Sequence, residues 1–238
     1  MSKVSKRAAE RRRRGPQSFA QPRADDPRVV RSRAAVVEAA RELFLNKGYA
    51  GTTMEEIAAL AGITKRTVYN NYPDKSGLFR EIVVEVIAYA EAFARGVREE
   101  FAVGITGGNM RTILDDLGRR LALGIIRPEV IALRRLLIGE AREFPALAAE
   151  YFDRAPGQVL DALALGFEHL GQIGLLKVAD AHHAAAQFAY LVAGEPLDRA
   201  VLVGTIPPRK HVIACAQEGV ETFLARYGLP TAVARETG

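Results

Sequence analysis

The side chains best suited to bind another molecule are concentrated in one short segment, residues 64–72. Its sequence, TKRTVYNNY, places cations, hydroxyls, amides and aromatic rings within about two helical turns. Arginine and asparagine make paired hydrogen bonds to base edges in the major groove of DNA, and lysine and threonine bind phosphate oxygens. The chemistry that this segment predicts is recognition of double-stranded DNA.

The flanking residues predict two short helices joined at a glycine. Thr53 and Glu56 have the spacing of a capping box, in which each residue's side chain accepts a hydrogen bond from the other's backbone N–H. Gly62 ends the first helix, because glycine adopts the left-handed turn at little cost. Thr64 caps the second helix, and Pro73 ends it by restricting the residue before it. This is the arrangement of a helix-turn-helix.

Three cations stand at the starts of predicted helices, where they are unfavourable. Lys65 and Arg66 follow the Thr64 cap, and Lys75 follows an Asp74 cap. A cation in the first turn of a helix costs about 0.3–1 kcal/mol, because the helix N-terminus is already partly positive. A bound phosphate would reverse the sign of this effect. We interpret these cations as phosphate binders, with a simple solvated face as the alternative.

Residues 28–79 resemble the DNA-binding region of the TetR family of transcriptional regulators. The resemblance rests on the motifs ARELF, KGY, TT, AGIT and TVYNNYPDK, which begin at residues 40, 47, 52, 61 and 67. It implies a DNA-binding domain over residues 28–75 and a helical effector-binding and dimerisation domain over residues 76–238. Asn70 and Asn71 stand where the family often has histidine or a further aromatic residue, so we expect an operator sequence particular to this chain.

The resemblance and the side-chain chemistry together assign two sets of residues to DNA. The expected phosphate binders are Thr52, Thr53, Lys65, Tyr72 and Lys75. The expected base-reading residues are Thr64, Arg66, Thr67, Tyr69, Asn70 and Asn71.

The net charge of +5 arises at the N-terminal end of the chain. Residues 1–27 form a basic tail that includes Arg11, Arg12, Arg13 and Arg14. We expect the tail to add phosphate or minor-groove contacts beside the reading helix, with a disordered solubilising tail as the alternative. A tail acting by itself would make the protein a non-specific architectural nucleic-acid binder, which is the alternative function.

Helical periodicity continues to the end of the chain, and no run alternates with period two. Apolar residues from Leu78 to Phe101 predict a long helix that leaves the DNA-binding domain. Further helices are predicted near residues 110–126, 128–144, 145–153, 156–174, 180–194 and 208–227. The predicted fold is all-α, with an N-terminal three-helix helix-turn-helix domain and a C-terminal helical bundle.

Residues 136–156 resemble the C-terminal domain of AefR-like TetR repressors, which implies a homodimer with a small-molecule effector. Apolar stripes near the C-terminus predict a dimer interface, although the same stripes could instead form the core of one subunit. The expected interface residues are Phe188, Val192, Ile213, Ala216, Val220 and Phe223. The expected effector-pocket residues, which are also typical of a core, are Phe93, Leu117, Leu137, Leu163 and Phe167. An inward-facing Glu140 would suit a cationic effector.

The remaining chemistry-bearing residues predict no catalysis. The four histidines show no H-x-x-x-H spacing, the single cysteine, Cys215, has no partner for C-x-x-C, and no phosphate-binding glycine loop occurs. We therefore expect no metal site, no cofactor and no enzyme, although a helical enzyme is the second alternative. Without a long apolar run or an apolar signal core, the chain is expected to be cytoplasmic with no membrane partner. The expected function is repression from a palindromic operator, relieved by a small-molecule effector.

Overall fold

The structure is a computed structural model, and it describes residues 27–103, 105, 106 and 108–229. The tail residues Arg11–Arg14 lie outside the described part of the chain. The described residues form ten α-helices and no β-strand, in agreement with the all-α prediction. The helices are α1 Pro27–Lys47, α2 Met54–Leu60, α3 Lys65–Asn71, α4 Lys75–Ala102, α5 Met110–Ile125, α6 Pro128–Glu140, α7 Pro145–Phe152, α8 Gln158–Gln172, α9 Ala181–Val203 and α10 Arg209–Tyr227.

The caps of the short helices are confirmed. The Thr53 hydroxyl accepts from the Glu56 N–H at 3.2 Å, and a Glu56 carboxylate oxygen accepts from the Thr53 N–H at 2.9 Å. Gly62 has a φ of 66°, in the left-handed region that a non-glycine residue adopts only with strain. Thr64 caps α3 by accepting from the Thr67 N–H at 3.3 Å. These local interactions fix α2 and α3 as the helix-turn-helix.

Helix α4 belongs to two hydrophobic cores. With 28 residues it is about 42 Å long. Leu78 and Phe79, in its first two turns, are fully buried in one core with α1, α2 and α3, while Ala94 and Val97 are fully buried in the C-terminal core. The N-terminal core therefore extends past residue 75, where the sequence placed the domain boundary.

Helix α9 continues beyond Gly194, where the sequence predicted its end. It passes through Pro196 and stops at Gly204, whose φ is 78°. Pro196 lacks the N–H for one helical hydrogen bond, but its ring is buried, and Arg135 donates to the Val201 carbonyl at 2.6 Å. Tertiary packing thus overrides the local helix-ending signal.

The predicted break before Pro156 is a wide helical turn instead. Residues Asp153–Gly157 form a π-helical turn that joins α7 to α8. A π turn widens the helix and leaves room for a proline inside it, and such turns are frequent at functional sites. Ala155 and Pro156 of this turn line a cavity.

The C-terminal core is held by a very close approach of two helices. A Cβ added at Gly219 of α10 would lie 2.5 Å from the Leu191 carbonyl oxygen and 2.8 Å from the Val192 nitrogen of α9. Backbone therefore packs directly on backbone, and this contact fixes how the two antiparallel helices are aligned.

Replacing Gly219 with alanine is expected to lower the free energy of unfolding by about 1–3 kcal/mol, because the backbones must separate to admit the methyl group. Gly96→Ala is the matched control, since a Cβ there meets nothing within 4 Å. It is expected to stabilise α4 by about 0.5–1 kcal/mol. Urea unfolding of both variants measures the difference. Equal stabilities for the two variants would contradict the close contact.

Candidate nucleic-acid interface and adjoining cavity

Helix α3 presents its polar residues outward from a small apolar base. Val68 is fully buried and anchors the helix on the N-terminal core. On the outer side Tyr69 is 44% exposed, so part of its ring is accessible to another molecule. The other predicted base-reading residues are also accessible: Thr64, Arg66 and Asn70 are exposed, and Thr67 and Asn71 are half-buried.

The exposed cations of α3 differ in their surroundings. Lys65 pairs with Glu55 of α2 at 3.3 Å. Arg66 makes no hydrogen bond or ion pair with another residue in the described ranges. The side-chain amide N–H of Asn71 donates to the Thr67 carbonyl at 3.0 Å, so one of its hydrogen-bond donors is already used within the helix. Arg66 and Asn70 thus keep the most capacity for an external partner.

Two predicted phosphate binders are buried, which corrects the sequence analysis. Thr52 is 1% exposed, and its hydroxyl donates to the Gly48 carbonyl at 2.9 Å. Tyr72 is 4% exposed, and its ring lies beneath the Arg33 guanidinium. Burial raises the pKa of the Tyr72 hydroxyl, with the neighbouring Glu81 adding to the shift. Both side chains support the interface from within and present no surface to a phosphate.

Lys75 also has an internal role. Its ammonium group donates to the carbonyls of Tyr49, at 2.5 Å, and of Thr52, at 2.8 Å, and lies 4.2 Å from the centre of the Tyr49 ring. These contacts explain a cation at the start of α4 without a phosphate. Thr53 and Lys65 are thus the exposed members of the predicted phosphate-binding set.

The carboxylate of the capping box is strongly stabilised in its charged form. A hydrogen bond from Lys47, at 2.6 Å, together with the Thr53 N–H and hydroxyl, lowers the pKa of Glu56 from 4.5 to about 2. Because the folded protein holds the ionised form, Glu56 stabilises the fold above pH 4.5 and loses this effect as the pH falls towards 2.

The stability difference between the wild type and Glu56→Gln is therefore expected to be largest above pH 4.5 and to shrink towards pH 2. Urea unfolding at a series of pH values measures that difference, and NMR titration of the Glu56 carboxyl carbon measures its pKa directly. A titration midpoint near 4.5 in the folded protein would contradict the proposed stabilisation of its charged form.

A large apolar cavity is lined by residues of the six helices α4, α5, α6, α7, α8 and α9. Its volume is about 460 Å³, within the range of small-molecule sites. Aromatic residues supply much of its wall, namely Tyr89, Phe93, Tyr151, Phe152 and Tyr190. Arg134 is the one charged residue among the described residues that line it, and its Nε donates to the Tyr151 hydroxyl at 3.1 Å.

The cavity differs in part from the pocket that the sequence predicted. Phe93 and Leu137 line it. Leu117, Leu163 and Phe167 do not, because they are fully buried in the C-terminal core. The lining residues in the described ranges include no carboxylate, so Glu140 does not supply a site for a cationic effector here.

The cavity wall is continuous with the core of the helix-turn-helix. Leu137 of α6 and Tyr151 of α7 line the cavity and are buried in the same apolar cluster as Phe79. Phe144, at the joint between α6 and α7, packs its ring 4.8 Å from that of Tyr49 and 5.2 Å from that of Phe79. Sequence reasoning missed this role of Phe144, since nothing in its local pattern shows that the joint meets the N-terminal core.

Two parts of the chain match models of known protein families. Residues 36–82 match the model for bacterial regulatory proteins of the tetR family, and residues 112–229 match the C-terminal domain of AefR-like transcriptional repressors. A crystal structure of a TetR-family transcriptional regulator from Mesorhizobium loti MAFF303099 is 31% identical, covers 86% of this chain and 100% of its own, and has a TM-score of 0.74. The chain belongs to the TetR family.

Two further regulators are similar to this chain over much of their length. The flavonoid-responsive regulator FrrA is 27% identical with a TM-score of 0.63, covering 85% of this chain and 100% of its own. The transcriptional repressor BepR of Brucella suis is 25% identical over 172 residues, which are 58% of this chain and 79% of BepR. The family consists of DNA-binding transcriptional regulators, so the prediction that this chain is not an enzyme is confirmed. No helix in the described ranges is both long and apolar enough to cross a membrane.

The dimer residues predicted for this TetR-family chain lie mostly inside the subunit. Phe188, Val192, Ala216, Val220 and Phe223 are fully buried in the C-terminal core, and the rings of Phe188 and Phe223 are 5.1 Å apart. Ile213, the sixth residue, is half-buried. The intramolecular reading of this stripe is therefore correct for the five buried residues. The large apolar residues exposed on and just after α9 are different ones: Tyr190, Leu191, Leu202, Val203 and Ile206.

Proposed function

We propose that this TetR-family regulator is a homodimeric repressor that binds a palindromic operator and is released from it by an apolar effector carrying one anionic group. The observation that carries the proposal is the shared position of Leu137 and Tyr151. Both residues line the cavity and pack in the core that supports the reading helix. A ligand in the cavity therefore touches side chains that also position the DNA-binding domain.

DNA binding is assigned to the outer face of α3 and the start of α2. Arg66 and Asn70 would contact base edges, with Thr64, Thr67, Tyr69 and Asn71 beside them on the same helix. Thr53 and Lys65 would bind phosphates. The defined polar face favours sequence-specific binding over the purely electrostatic binding expected of an architectural protein.

The coupling between the sites would pass through α4 and through the joint between α6 and α7. Arg80 of α4 pairs with Glu150 of α7 at 2.6 Å, and Phe144 packs against Phe79 and Tyr49. A ligand that displaces Tyr151 or Leu137 would shift the joint and, with it, the N-terminal core. Effector binding would then favour a dimer whose reading helices no longer match half-sites about 34–36 Å apart.

The effector class follows from the lining of the cavity. Aromatic and aliphatic walls suit a planar apolar ligand, and Arg134 suits a carboxylate or phenolate oxygen. The name of the relative FrrA, a flavonoid-responsive regulator, supports a phenolic ligand of this kind. We therefore assign the effector to acidic or phenolic aromatic compounds.

The dimer would form around the exposed C-terminal end of α9. Leu202 and Val203 are 79% and 68% exposed at the end of α9, which is a high exposure for adjacent aliphatic residues. Operator palindromes mirror the two-fold symmetry of the proteins that bind them. The exposed pair supports a second copy of the chain on this side, and operator symmetry supports a dimer.

Changing Leu202 and Val203 together to glutamate is expected to convert the dimer to a monomer, because two like charges would be buried in each half of a symmetric interface. Light scattering coupled to size-exclusion chromatography measures the mass in solution. The double change Leu165→Glu with Ile173→Glu, at exposed apolar positions on and just after α8, is the matched control. If the chain with both Leu202 and Val203 changed to glutamate is still a dimer, the dimer does not form through this surface.

The function is tested by selecting bound sequences from random double-stranded DNA with the full chain. We expect the selected DNA to contain an inverted repeat, since each subunit reads one half-site. The selected DNA is then titrated in the presence of a flavonoid panel and, separately, of unbranched fatty acids. Enrichment of DNA without a shared motif would favour the architectural alternative. If the flavonoids do not release the DNA, whether or not the fatty acids do, the assigned effector class is wrong.

A further inference from the structure

The outer surface of α9 and α10 holds three side chains with the chemistry of metal ligands. They are Glu195 of α9 and His211 and Cys215 of α10, and their ligand atoms all lie within 4.8 Å of one another. The complete group is not evident from the sequence, because His211 and Cys215 are four residues apart but Glu195 is separated from His211 by 16 residues. It becomes visible only when the two antiparallel helices are aligned.

The alignment of the two helices is fixed by the backbone contact between Leu191 and Gly219. Glu195 lies one turn after Leu191, and Cys215 lies one turn before Gly219, so the tight contact brings residues 195 and 215 opposite each other. His211 is one further turn away on the same face of α10 as Cys215. Rigid helices thus hold all three side chains, as a preorganised site requires.

Two of the three distances between ligand atoms approach those of a tetrahedral zinc site, and the third, between Cys215 and Glu195, lies within 4.8 Å. The Cys215 Sγ lies 3.7 Å from the His211 Nε2, and a tetrahedral site with ordinary Zn–S and Zn–N bonds has an S···N edge of about 3.6 Å. The His211 Nε2 lies 2.8 Å from a Glu195 carboxylate oxygen, a hydrogen bond that must open to about 3.4 Å around a zinc ion. The His211 ring and the Glu195 carboxylate are both exposed, so a small rotation of the Glu195 side chain is enough to open this distance.

We propose that Glu195, His211 and Cys215 form a binding site for a zinc ion. Thiolate, imidazole and carboxylate together favour zinc over magnesium or calcium, which take oxygen ligands. Binding replaces the S–H bond of Cys215 with an S–Zn bond and releases that proton to water. The His211 Nε2 lone pair and a Glu195 oxygen supply two more ligands, and water completes the tetrahedron. No electron is transferred.

One neighbouring cation competes with the metal. Arg199, one turn beyond Glu195 on α9, pairs with the Glu195 carboxylate at 2.8 Å. This exposed arginine must turn away when zinc binds, so Arg199→Met is expected to tighten zinc binding. The site also clamps the part of α9 that contributes Ala193 and Gly194 to the cavity wall.

The test is calorimetric titration of zinc chloride into the full chain, without a polyhistidine tag, after treatment with a chelator. One zinc ion per chain is expected. Cys215→Ser and His211→Ala are each expected to weaken binding by more than the roughly 10–100-fold that follows loss of an outer-shell partner. His183→Ala is the matched control, because His183 is exposed on α9 and pairs with Gln187.

Cobalt(II) gives a second readout that does not depend on affinity. A cobalt-loaded chain is expected to show the thiolate-to-cobalt charge-transfer absorption, and Cys215→Ser should abolish it, because Cys215 is the chain's single cysteine. A wild-type chain that binds no zinc, a cobalt spectrum without that absorption, or equal weakening by His183→Ala and His211→Ala would overturn the proposal.

Discussion

Replacing Arg66 with alanine is expected to weaken binding to the selected operator by about 2–6 kcal/mol, which is at least roughly 30-fold. Each base-reading arginine contributes about 1–3 kcal/mol, and a dimer uses two copies. Arg66 is exposed and has no hydrogen bond or ion pair elsewhere in the described structure. Its loss therefore removes contacts with DNA while leaving the fold intact. Fluorescence anisotropy with labelled operator measures the affinity.

Arg95→Ala is the matched control for this experiment. Arg95 is also an exposed arginine, but it lies on α4 about 30 Å along the helix from Lys75. Its replacement removes the same charge at a distance from the reading helix. An Arg66→Ala chain that binds the operator as tightly as the Arg95→Ala chain would show that α3 does not read DNA through this residue.

Replacing Arg134 with methionine is expected to weaken binding of an acidic or phenolic aromatic effector by roughly 10- to 150-fold. Hydrogen bonds to charged groups contribute about 1.5–3 kcal/mol, and Arg134 is the one charged residue among the described residues that line the cavity. Methionine preserves much of the apolar stem, so the shape of the cavity is largely retained. Calorimetric titration with the flavonoid that gives the largest thermal shift measures the change.

Arg135→Met is the control on the same helix. Arg135 is exposed and donates to the Val201 carbonyl, and it does not line the cavity. Its replacement should leave effector affinity unchanged while weakening the end of α9. If both variants bind the effector equally well, the anionic group of the ligand does not face Arg134, and the assigned class is wrong.

The local signals in the sequence predicted local structure well. Thr53, Thr64 and Asp74 were expected to cap helices and do so, because a cap depends on residues within one turn. Gly62 was expected to turn the chain between α2 and α3 for the same reason. The helix-turn-helix therefore follows from the sequence by physical argument alone.

Burial within the predicted interface did not follow from the sequence. Thr52, Tyr72 and Lys75 have residue types that bind phosphate, and they stand beside the reading helix in the chain. In the fold, however, Thr52 and Tyr72 are enclosed, and Lys75 is bonded to two carbonyl groups of the turn between α1 and α2. Residue type and spacing show what a side chain is able to bind, but neighbours from other helices decide whether it is accessible.

The apolar stripes of the C-terminal helices show the same limit. Val192 and Val220 recur at the spacing that either a dimer seam or an internal core requires, and in the fold they pack inside the subunit. Periodicity identifies the apolar face of a helix without identifying what covers it. Phe144 and Tyr151 illustrate the converse, because their positions in the fold connect a cavity to the DNA-binding domain.

The most direct measurement of the proposed mechanism compares operator affinity with and without saturating effector, and effector affinity with and without operator. Because coupling between two binding sites is reciprocal, the account predicts that each ligand weakens the other by the same factor, of about 10 or more. Operator affinity that stays the same at saturating effector would contradict the claim that the cavity controls the reading helices.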